Sequence, residues 1–172
     1  MKANYLYILC GLSFAGKTTL AKGLERRLGF ARVDMDVIND AKGVGLHGEP
    51  ISAEEWERTY AESYRQLDDL LKAGQSVLFD AVNFTKAQRD SLRSIATKRG
   101  AVSRVIYLDI SESEARKRWQ DNRITHQRYD VRDEDFAHVV MNFEPPTQDE
   151  QVIRYHPSQT LDEWIQQAFS SK

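Results

Sequence analysis

The sequence is poor in cysteine and proline and has no long apolar run. Cys10 is the only cysteine in 172 residues, which excludes an intrachain disulfide and a multi-cysteine metal site. The four prolines and nine glycines form no linker that would divide the chain. The first apolar run, Tyr5–Cys10, is too short for a signal-peptide core or a membrane span. We therefore expect one cytoplasmic domain over residues 1–172, without a membrane partner.

The chain also lacks an excess of charge of either sign. Lys and Arg total 24 against 26 Asp and Glu, a formal net charge of −2. A surface that binds nucleic acid over its whole extent needs excess cationic charge, so a nucleic-acid partner is not favoured. Basic residues are concentrated only in segment 116–132, which holds six of them against two acidic residues.

Short apolar runs alternate with longer segments of helical periodicity. This alternation predicts βα units around a mostly parallel sheet, an α/β fold. The predicted strands are Tyr5–Cys10, Ala31–Val33, Val77–Phe79, Val105–Leu108 and, as a possible fifth, Val152–Tyr155.

Several helix starts carry a capping box, in which a hydroxyl residue is followed three positions later by Glu or Gln. The pairs are Ser52 with Glu55, Thr85 with Gln88, Ser111 with Glu114, and Thr160 with Glu163. After the first of these boxes an apolar stripe follows at helical spacing: Trp56, Tyr60, Tyr64, Leu67 and Leu71. We interpret this stripe as core that packs on the sheet.

A phosphate-binding loop is the strongest signal in the sequence. Segment 11–19 fits G-x-x-x-x-G-K-[ST], directly after a predicted strand and at the head of a predicted helix. Its glycines allow successive backbone N–H groups to face a β-phosphate, and the helix adds the positive end of its dipole. Lys17 is predicted to contact the β- and γ-phosphates, and the Thr18 hydroxyl to bind Mg²⁺. The predicted nucleotide-binding residues here are Gly11, Ser13, Phe14, Ala15, Gly16, Lys17, Thr18 and Thr19.

Acidic residues follow the neighbouring predicted strands. Asp80 ends the third strand and is the predicted second ligand of Mg²⁺, with Asp109 as a weaker rival. Asp34 and Asp36 follow the second strand, at the edge of the sheet where ligands of open α/β folds bind. Asp36, expected farther along a loop, is the predicted general base for an acceptor hydroxyl. The alternative is that both acids only cap the next helical turn.

The basic segment is predicted to form a helical lid over about residues 112–135. Arginines that close over phosphates stabilise the charge during phosphoryl transfer. Arg118, Arg123 and Arg128 are the candidates for contact with ATP, and Arg123 is also the candidate for a catalytic role. The alternative is a solvated helix face.

Together these motifs resemble the small P-loop kinases and AAA-type ATP-binding proteins that include zeta toxins, chloramphenicol phosphotransferase and the kinase domain of phage-type polynucleotide kinase. The resemblance implies a three-layer P-loop fold with a five-stranded parallel sheet and Asp36 as the general base. It also implies that Asn83 and Arg89 hold the acceptor or order their loop, and that adenine rests near His156. Asn39 departs from the arginine that polynucleotide kinases of this group tend to carry.

These expectations lead to one main functional hypothesis and two alternatives. The main one is an ATP- and Mg²⁺-dependent phosphotransferase that moves the γ-phosphoryl group to a hydroxyl of a small molecule. The second is a polynucleotide 5′-hydroxyl kinase, and the third is a nucleotide-binding regulatory or toxin-like module without small-molecule kinase activity.

Overall fold

The computed structural model describes residues 4–45 and 49–169. Residues 1–3, 46–48 and 170–172 of the predicted domain lie outside this description. The elements are β1 (Tyr5–Cys10), α1 (Lys17–Leu28), β2 (Ala31–Asp34), α2 (Met35–Lys42), α3 (Ala53–Lys72), β3 (Val77–Asp80), α4 (Lys86–Lys98), β4 (Val102–Leu108), α5 (Glu112–Thr125), α6 (Asp133–Met141), a 3-10 turn (Gln148–Glu150), β5 (Ile153–Tyr155) and α7 (Leu161–Phe169).

The five strands form one sheet in the order β2-β3-β1-β4-β5, and every pairing is parallel. Parallel strands place all their carboxyl ends at one edge, where the following loops and helix starts meet. β1 occupies the centre of the sheet, so the 11–16 loop that follows it lies in the middle of this edge. In the neighbouring pair, Asp34 at the end of β2 stands opposite Asp80 at the end of β3.

Helices cover both faces of the sheet and bury two separate cores. Strand residues alternate between the faces: Leu6 and Ile8 of β1 belong to one core, and Tyr7 and Leu9 to the other. The first core is completed by α2, α3 and α4 through Ile38, Leu67, Leu71 and Leu92. The second is completed by α1, α5, α6 and α7 through Leu24, Trp119, Phe136 and Trp164. The predicted three-layer α/β fold with a five-stranded parallel sheet is confirmed.

Local signals placed most boundaries correctly. The capping boxes at Ser52 and Thr85 are complete, with each hydroxyl accepting from the N3 backbone and each N3 side chain returning to the cap. At Ser111 only half of the box forms, because the Glu114 carboxylate accepts from Arg118 instead. β4 is longer than predicted and begins at Val102.

Candidate active site

The 11–16 loop curls tightly between β1 and α1. Gly16 has φ +99°, a left-handed conformation that favours glycine. A Cβ on Gly11 would meet the Leu108 carbonyl oxygen at 3.0 Å, so the loop also approaches the end of β4 closely. Phe14, with φ +64°, and Ala15 are buried behind the loop. Neither side chain lines the cleft, so only the backbone of these two residues is available to a ligand there.

Lys17 is the first residue of α1 and projects back over this loop. Its Nζ donates to the carbonyl oxygens of Gly11 at 3.0 Å and Leu12 at 2.7 Å. Burial lowers the pKa of Lys17 to about 8, although the Asp80 carboxylate opposes this shift. Thr18 and Ser13 line the same cleft, whereas the Thr19 side chain is exposed on α1.

Asp80 is buried at the carboxyl edge of the sheet, between the Asp34 carboxylate and the Arg32 guanidinium, whose Nη1 lies 3.5 Å away. Burial, and then the neighbouring Asp34 carboxylate, raise the pKa of Asp80 to about 6. Asp34 accepts from the backbone N–H groups of Asp36 at 2.9 Å and Val37 at 3.3 Å, and it pairs with Arg32. Asp34 therefore caps α2, as the alternative interpretation of this acid expected.

The residues around Asp80 fit Mg²⁺. The Thr18 hydroxyl lies next to the Asp80 carboxylate, which gives an oxygen-only donor set of the kind Mg²⁺ prefers. Within residues 4–45 and 49–169, no group of three or more His, Cys, Asp or Glu side chains could hold a metal ion. Mg²⁺ at phosphate sites typically takes only one or two carboxylates, and phosphate and water supply the remaining ligands.

The raised pKa of Asp80 leads to a prediction about the stability of the protein. The folded pKa of about 6 exceeds the ordinary aspartate pKa of 3.8, so this group favours folding below pH 4 and loses that contribution as the pH rises to about 6. Asp80→Asn mimics the protonated acid. In metal-free buffer we expect it to raise the free energy of unfolding at pH 7.5 by about 1–3 kcal/mol, a gain that vanishes near pH 4.

Denaturant titrations at pH 4, 6 and 7.5 measure this effect. Asp109→Asn is the matched control, since this strand-end acid makes an exposed ion pair with Arg154 and should change stability by less than about 1 kcal/mol at every pH. A loss of stability in Asp80→Asn at pH 7.5 would show that the ionised carboxylate stabilises the fold.

Asp36 lies in the first turn of α2, because that helix starts directly after β2 at Met35. The expectation of a longer loop before Asp36 was therefore wrong, but its side chain still lines the cleft that holds Lys17 and Asp80. The surrounding protein partly desolvates Asp36, and Asp34 adds repulsion; together they raise its pKa, while Arg128 and Lys17 act in the opposite direction. The carboxylate remains accessible from the cleft.

The far wall of the cleft is built by the start of α3, and the sequence interpretation missed it. Leu67 and Leu71 are buried as predicted, but Trp56 is 37% exposed and lines the cleft together with Tyr60. Their rings lie 6.1 Å apart, and the Tyr60 hydroxyl accepts from Gln88 at 3.1 Å. The helical spacing identified the correct face of α3 without showing that its first turn extends past the sheet.

Asn39 connects this wall to α2. Its side chain is buried, and its Oδ1 accepts from the Thr59 hydroxyl at 2.6 Å. At this position the cleft has a neutral amide held by α3, with no cation. The whole cleft encloses about 490 Å³.

The predicted lid arginines have three different placements. The Arg118 Nη1 approaches the carbonyl oxygens of Phe14 at 3.4 Å and Ala15 at 3.3 Å, beside the phosphate-binding loop. The Arg128 guanidinium lies 4.5 Å from the Phe14 ring centroid and lines the cleft.

Arg123 is placed outside the cleft. It pairs with Asp130 and Asp133 and lies 4.2 Å from the Trp119 ring centroid. The structure does not bring Arg123 to the 11–16 loop as predicted. Its guanidinium holds the 126–132 loop, whereas Arg118 and Arg128 lie beside the 11–16 loop. Arg123 is held in this position by the Asp130 and Asp133 carboxylates, and no local sequence pattern indicated these ion pairs.

Arg89 requires a second correction. Its side chain is 0% exposed and forms a two-point ion pair with Glu150, so it cannot contact an acceptor. Its Nη1 also donates to the Asn83 carbonyl oxygen at 3.0 Å, while the Asn83 Nδ2 donates to the Leu9 carbonyl oxygen at 2.7 Å. Of the two roles expected for Arg89, holding the acceptor or ordering its loop, the contacts in the structure fit the second, because Arg89 holds the 81–84 loop. Asn83 lines the cleft but is nearly buried.

Comparisons with known proteins give a consistent set of matches. A family model for an AAA domain matches residues 6–146. A probable gluconokinase of Schizosaccharomyces pombe is 26% identical over 154 residues, which are 87% of this chain and 78% of that protein. No helix in the described parts of the chain is both long and apolar enough to cross a membrane.

Solved structures share the fold at low identity. A putative kinase from Chloroflexus aurantiacus superposes with a TM-score of 0.75 at 20% identity, covering 99% of this chain and 98% of that one. The APS kinase of Mycobacterium tuberculosis, in complex with AMPPNP and APS, has a TM-score of 0.67 at 18% identity, with the same coverage of both chains. A sugar kinase from Janibacter has a TM-score of 0.70 at 18% identity, covering 98% of this chain and 94% of that one.

Proposed function

This chain belongs to the AAA-domain family that its residues 6–146 match, and we propose that it is an ATP-dependent kinase that phosphorylates a hydroxyl group of a small polar molecule. One observation carries the proposal: Lys17, Thr18 and Asp80 line the same cleft as Asp36. A nucleotide phosphate chain and a proton acceptor for an attacking hydroxyl thus share one space. The relatives named as a gluconokinase and a sugar kinase support a small polar acceptor.

The nucleotide is assigned to the P-loop side of the cleft. Backbone N–H groups of the 11–16 loop and the Lys17 ammonium would hold the β- and γ-phosphates, with Arg118 and Arg128 closing beside them. Thr18 and Asp80 would hold Mg²⁺, directly or through water, and the ion would supply positive charge that neutralises the phosphate oxygens. The turn at 156–159, which follows β5 and is closed by the Gln159 N–H donating to the His156 carbonyl oxygen, would contact adenine.

Asp36 would act on the acceptor. Its carboxylate takes the hydroxyl proton while the acceptor oxygen forms a bond to the γ-phosphorus. The bond between the γ-phosphorus and the β–γ bridging oxygen breaks, and ADP leaves with that oxygen. The raised pKa of Asp36 improves its match to a proton-transfer role near neutral pH.

The 126–132 loop and the adjoining ends of α5 and α6 would be the lid of this kinase. Trp119 stacks on Phe136 at 4.4 Å, and its indole N–H donates to the Val131 carbonyl oxygen at 2.8 Å. These contacts tie the two lid helices together. Closure would therefore move them as one unit over the phosphates.

A transfer assay tests the proposal. The protein is incubated with Mg²⁺ and ATP labelled at the γ-phosphate, together with sugars, amino sugars, polyols, nucleosides and oligonucleotides. We expect label in a small-molecule product, and Lys17→Met should reduce transfer by at least about 100-fold. Lys22→Met, a change at an exposed position of the same helix, is the matched control. Release of free phosphate alone, at equal rates in wild type and Asp36→Asn, would refute the kinase proposal.

A further inference from the structure

Carboxylates outnumber basic groups on the acceptor side of the cleft. Asp36 and Asp40 lie one turn apart on α2, Glu49 precedes α3, and Asp135 lies in the first turn of α6; all four line the cleft. Asp40 adds to the repulsion that raises the pKa of Asp36. Because Asp135 is paired with Arg132, the negative potential comes mainly from Asp36, Asp40 and Glu49. Such a potential attracts cations and repels anions.

Each lysine and arginine side chain that lines the cleft in the described parts of the chain already has a partner or a place at the P-loop, and the His138 imidazole lies 3.3 Å from the Asn142 amide nitrogen. Lys17 bridges P-loop carbonyl groups, and Arg128 lies over Phe14 of the same loop. Arg132 pairs with Asp135 through two hydrogen bonds of 2.8 and 2.9 Å. In the proposed ATP complex, the phosphates form ion pairs with Lys17 and Arg128. Among the described residues, the acceptor side is then left with carboxylates and the His138 imidazole, and with no lysine or arginine available to an anionic substrate.

The aromatic wall adds a second feature with the same preference. The Trp56 face is partly exposed to the cleft, with Tyr60 beside it. Aromatic faces attract ammonium groups, and Trp does so most strongly. Aromatic rings together with nearby carboxylates bind a protonated amine more tightly than a neutral group of the same shape. They provide no positive charge that offsets the desolvation of a bound carboxylate or phosphate.

We propose that the acceptor is a small polyhydroxy compound that carries an ammonium group, an amino sugar or amino alcohol, and that the site rejects acceptors bearing carboxylate or phosphate. This inference rests on the proposed kinase function for the reaction, but it makes a separate statement about binding. Asp40 and Glu49 are assigned to the ammonium group, Trp56 to the adjoining ring or methylene face, and Asp36 to the reacting hydroxyl.

Matched ligand series test the inference. Glucosamine, glucose and gluconate form one series, and an amino alcohol, the corresponding diol and the corresponding hydroxy acid form another. Affinity is measured by calorimetry with the protein saturated with Mg²⁺ and AMPPNP, and transfer is measured separately with labelled ATP. In at least one series we expect the amine to bind at least about tenfold more tightly than its neutral counterpart, with the anion weakest.

Variants locate the effect. Asp40→Asn and Glu49→Gln should each reduce the preference for the amine over the neutral compound by at least about threefold. Asp69→Asn, an exposed change on α3 whose carboxylate pairs with Arg65, should leave this ratio unchanged. Because the readout is a ratio within one variant, a general loss of folded protein does not alter it.

The outcomes separate the two proposals. Amine-selective binding that depends on Asp40 or Glu49, without labelled product, supports this inference and removes the kinase proposal. Phosphorylation in which the aldonate or hydroxy acid is preferred supports the kinase and overturns this inference. Equal affinity for amine and neutral compounds, or binding of neither, also overturns it.

Discussion

Asp36→Asn is expected to slow phosphoryl transfer by about 100- to 10,000-fold, the range for the loss of a general base, while ATP still binds. Asparagine preserves the size of the side chain and the first turn of α2. Asp34 makes the capping contacts of that helix, so they remain intact. The affinity for ATP should stay within about threefold of wild type, because the phosphates are assigned to the P-loop and not to α2.

Asp40→Asn is the matched control for this prediction. Asp40 lies one turn farther along the same helix and lines the same cleft. Its assigned role is in acceptor binding, so Asp40→Asn should mainly raise the KM for the acceptor. Asp36→Asn should instead mainly lower kcat. A kcat of Asp36→Asn within about threefold of wild type would assign the proton transfer to another group.

The pH profile gives an independent readout. The pKa of Asp36 is raised by partial desolvation in the cleft and by Asp34, so the ionised form that accepts a proton is lost at a higher pH than for an ordinary aspartate. We expect the kcat of wild type to fall as the pH drops through this raised pKa, and the acid limb of the profile to disappear in Asp36→Asn.

The parts of the fold that depend on local chemistry were predictable from the sequence. A capping box places a helix start because the two hydrogen bonds involve residues only three positions apart, as at Ser52 and Thr85. The 11–19 loop was also predictable from residues close together in the sequence, because its motif lies between a buried strand and a helix. At Asp34 local chemistry was ambiguous, since one aspartate ends β2 and also caps α2.

The exposure of aromatic residues was not predictable, because it depends on where helices end relative to the sheet. Trp56 and Leu71 lie on the same face of α3, yet Leu71 is 2% exposed beside the sheet and Trp56 is 37% exposed in the cleft. A helix of 20 residues is about 30 Å long and extends beyond a four-residue strand. Periodicity identifies the inward face, and only the tertiary structure shows what that face contacts.

The partner of Arg89 was equally inaccessible to sequence reasoning. Arg89 lies on α4, and Glu150 is 61 residues away in the 3-10 turn. Burial alone would raise the pKa of Glu150, but hydrogen bonds from Arg89 and the Thr147 backbone lower it below its ordinary value. A charged side chain on an amphipathic helix is usually exposed, so helical periodicity did not distinguish Arg89 from Arg93 one turn later. The family resemblance singled out Arg89 without indicating its partner.

Breaking this buried pair is expected to have the largest effect on stability. Both side chains are 0% exposed, and their hydrogen bonds are 2.7 and 3.1 Å long. Arg89→Met leaves the Glu150 charge buried without its partner, which costs about 3–5 kcal/mol. For a chain of this length the thermal midpoint should fall by roughly 6–20 °C. Denaturant titration and calorimetry at pH 7 measure both quantities.

Two further variants distinguish the loss of a buried charge partner from the loss of packing. The double change Arg89→Met with Glu150→Leu removes both charges and should recover more than half of the lost stability, because the cost arises from the orphaned carboxylate. Arg93→Met, at the partly exposed position one turn later, should cost less than about 1 kcal/mol.

The same pair has a functional consequence through the 81–84 loop. Arg89 holds the Asn83 carbonyl oxygen, and the Val82 carbonyl oxygen accepts from the Gly11 N–H at 3.4 Å. Arg89→Met, assayed well below its midpoint where it is folded, should therefore bind ATP more weakly than wild type, and the double variant should not recover this affinity because it also lacks the arginine. Equal ATP affinity in all three proteins would confine the pair to a purely stabilising role.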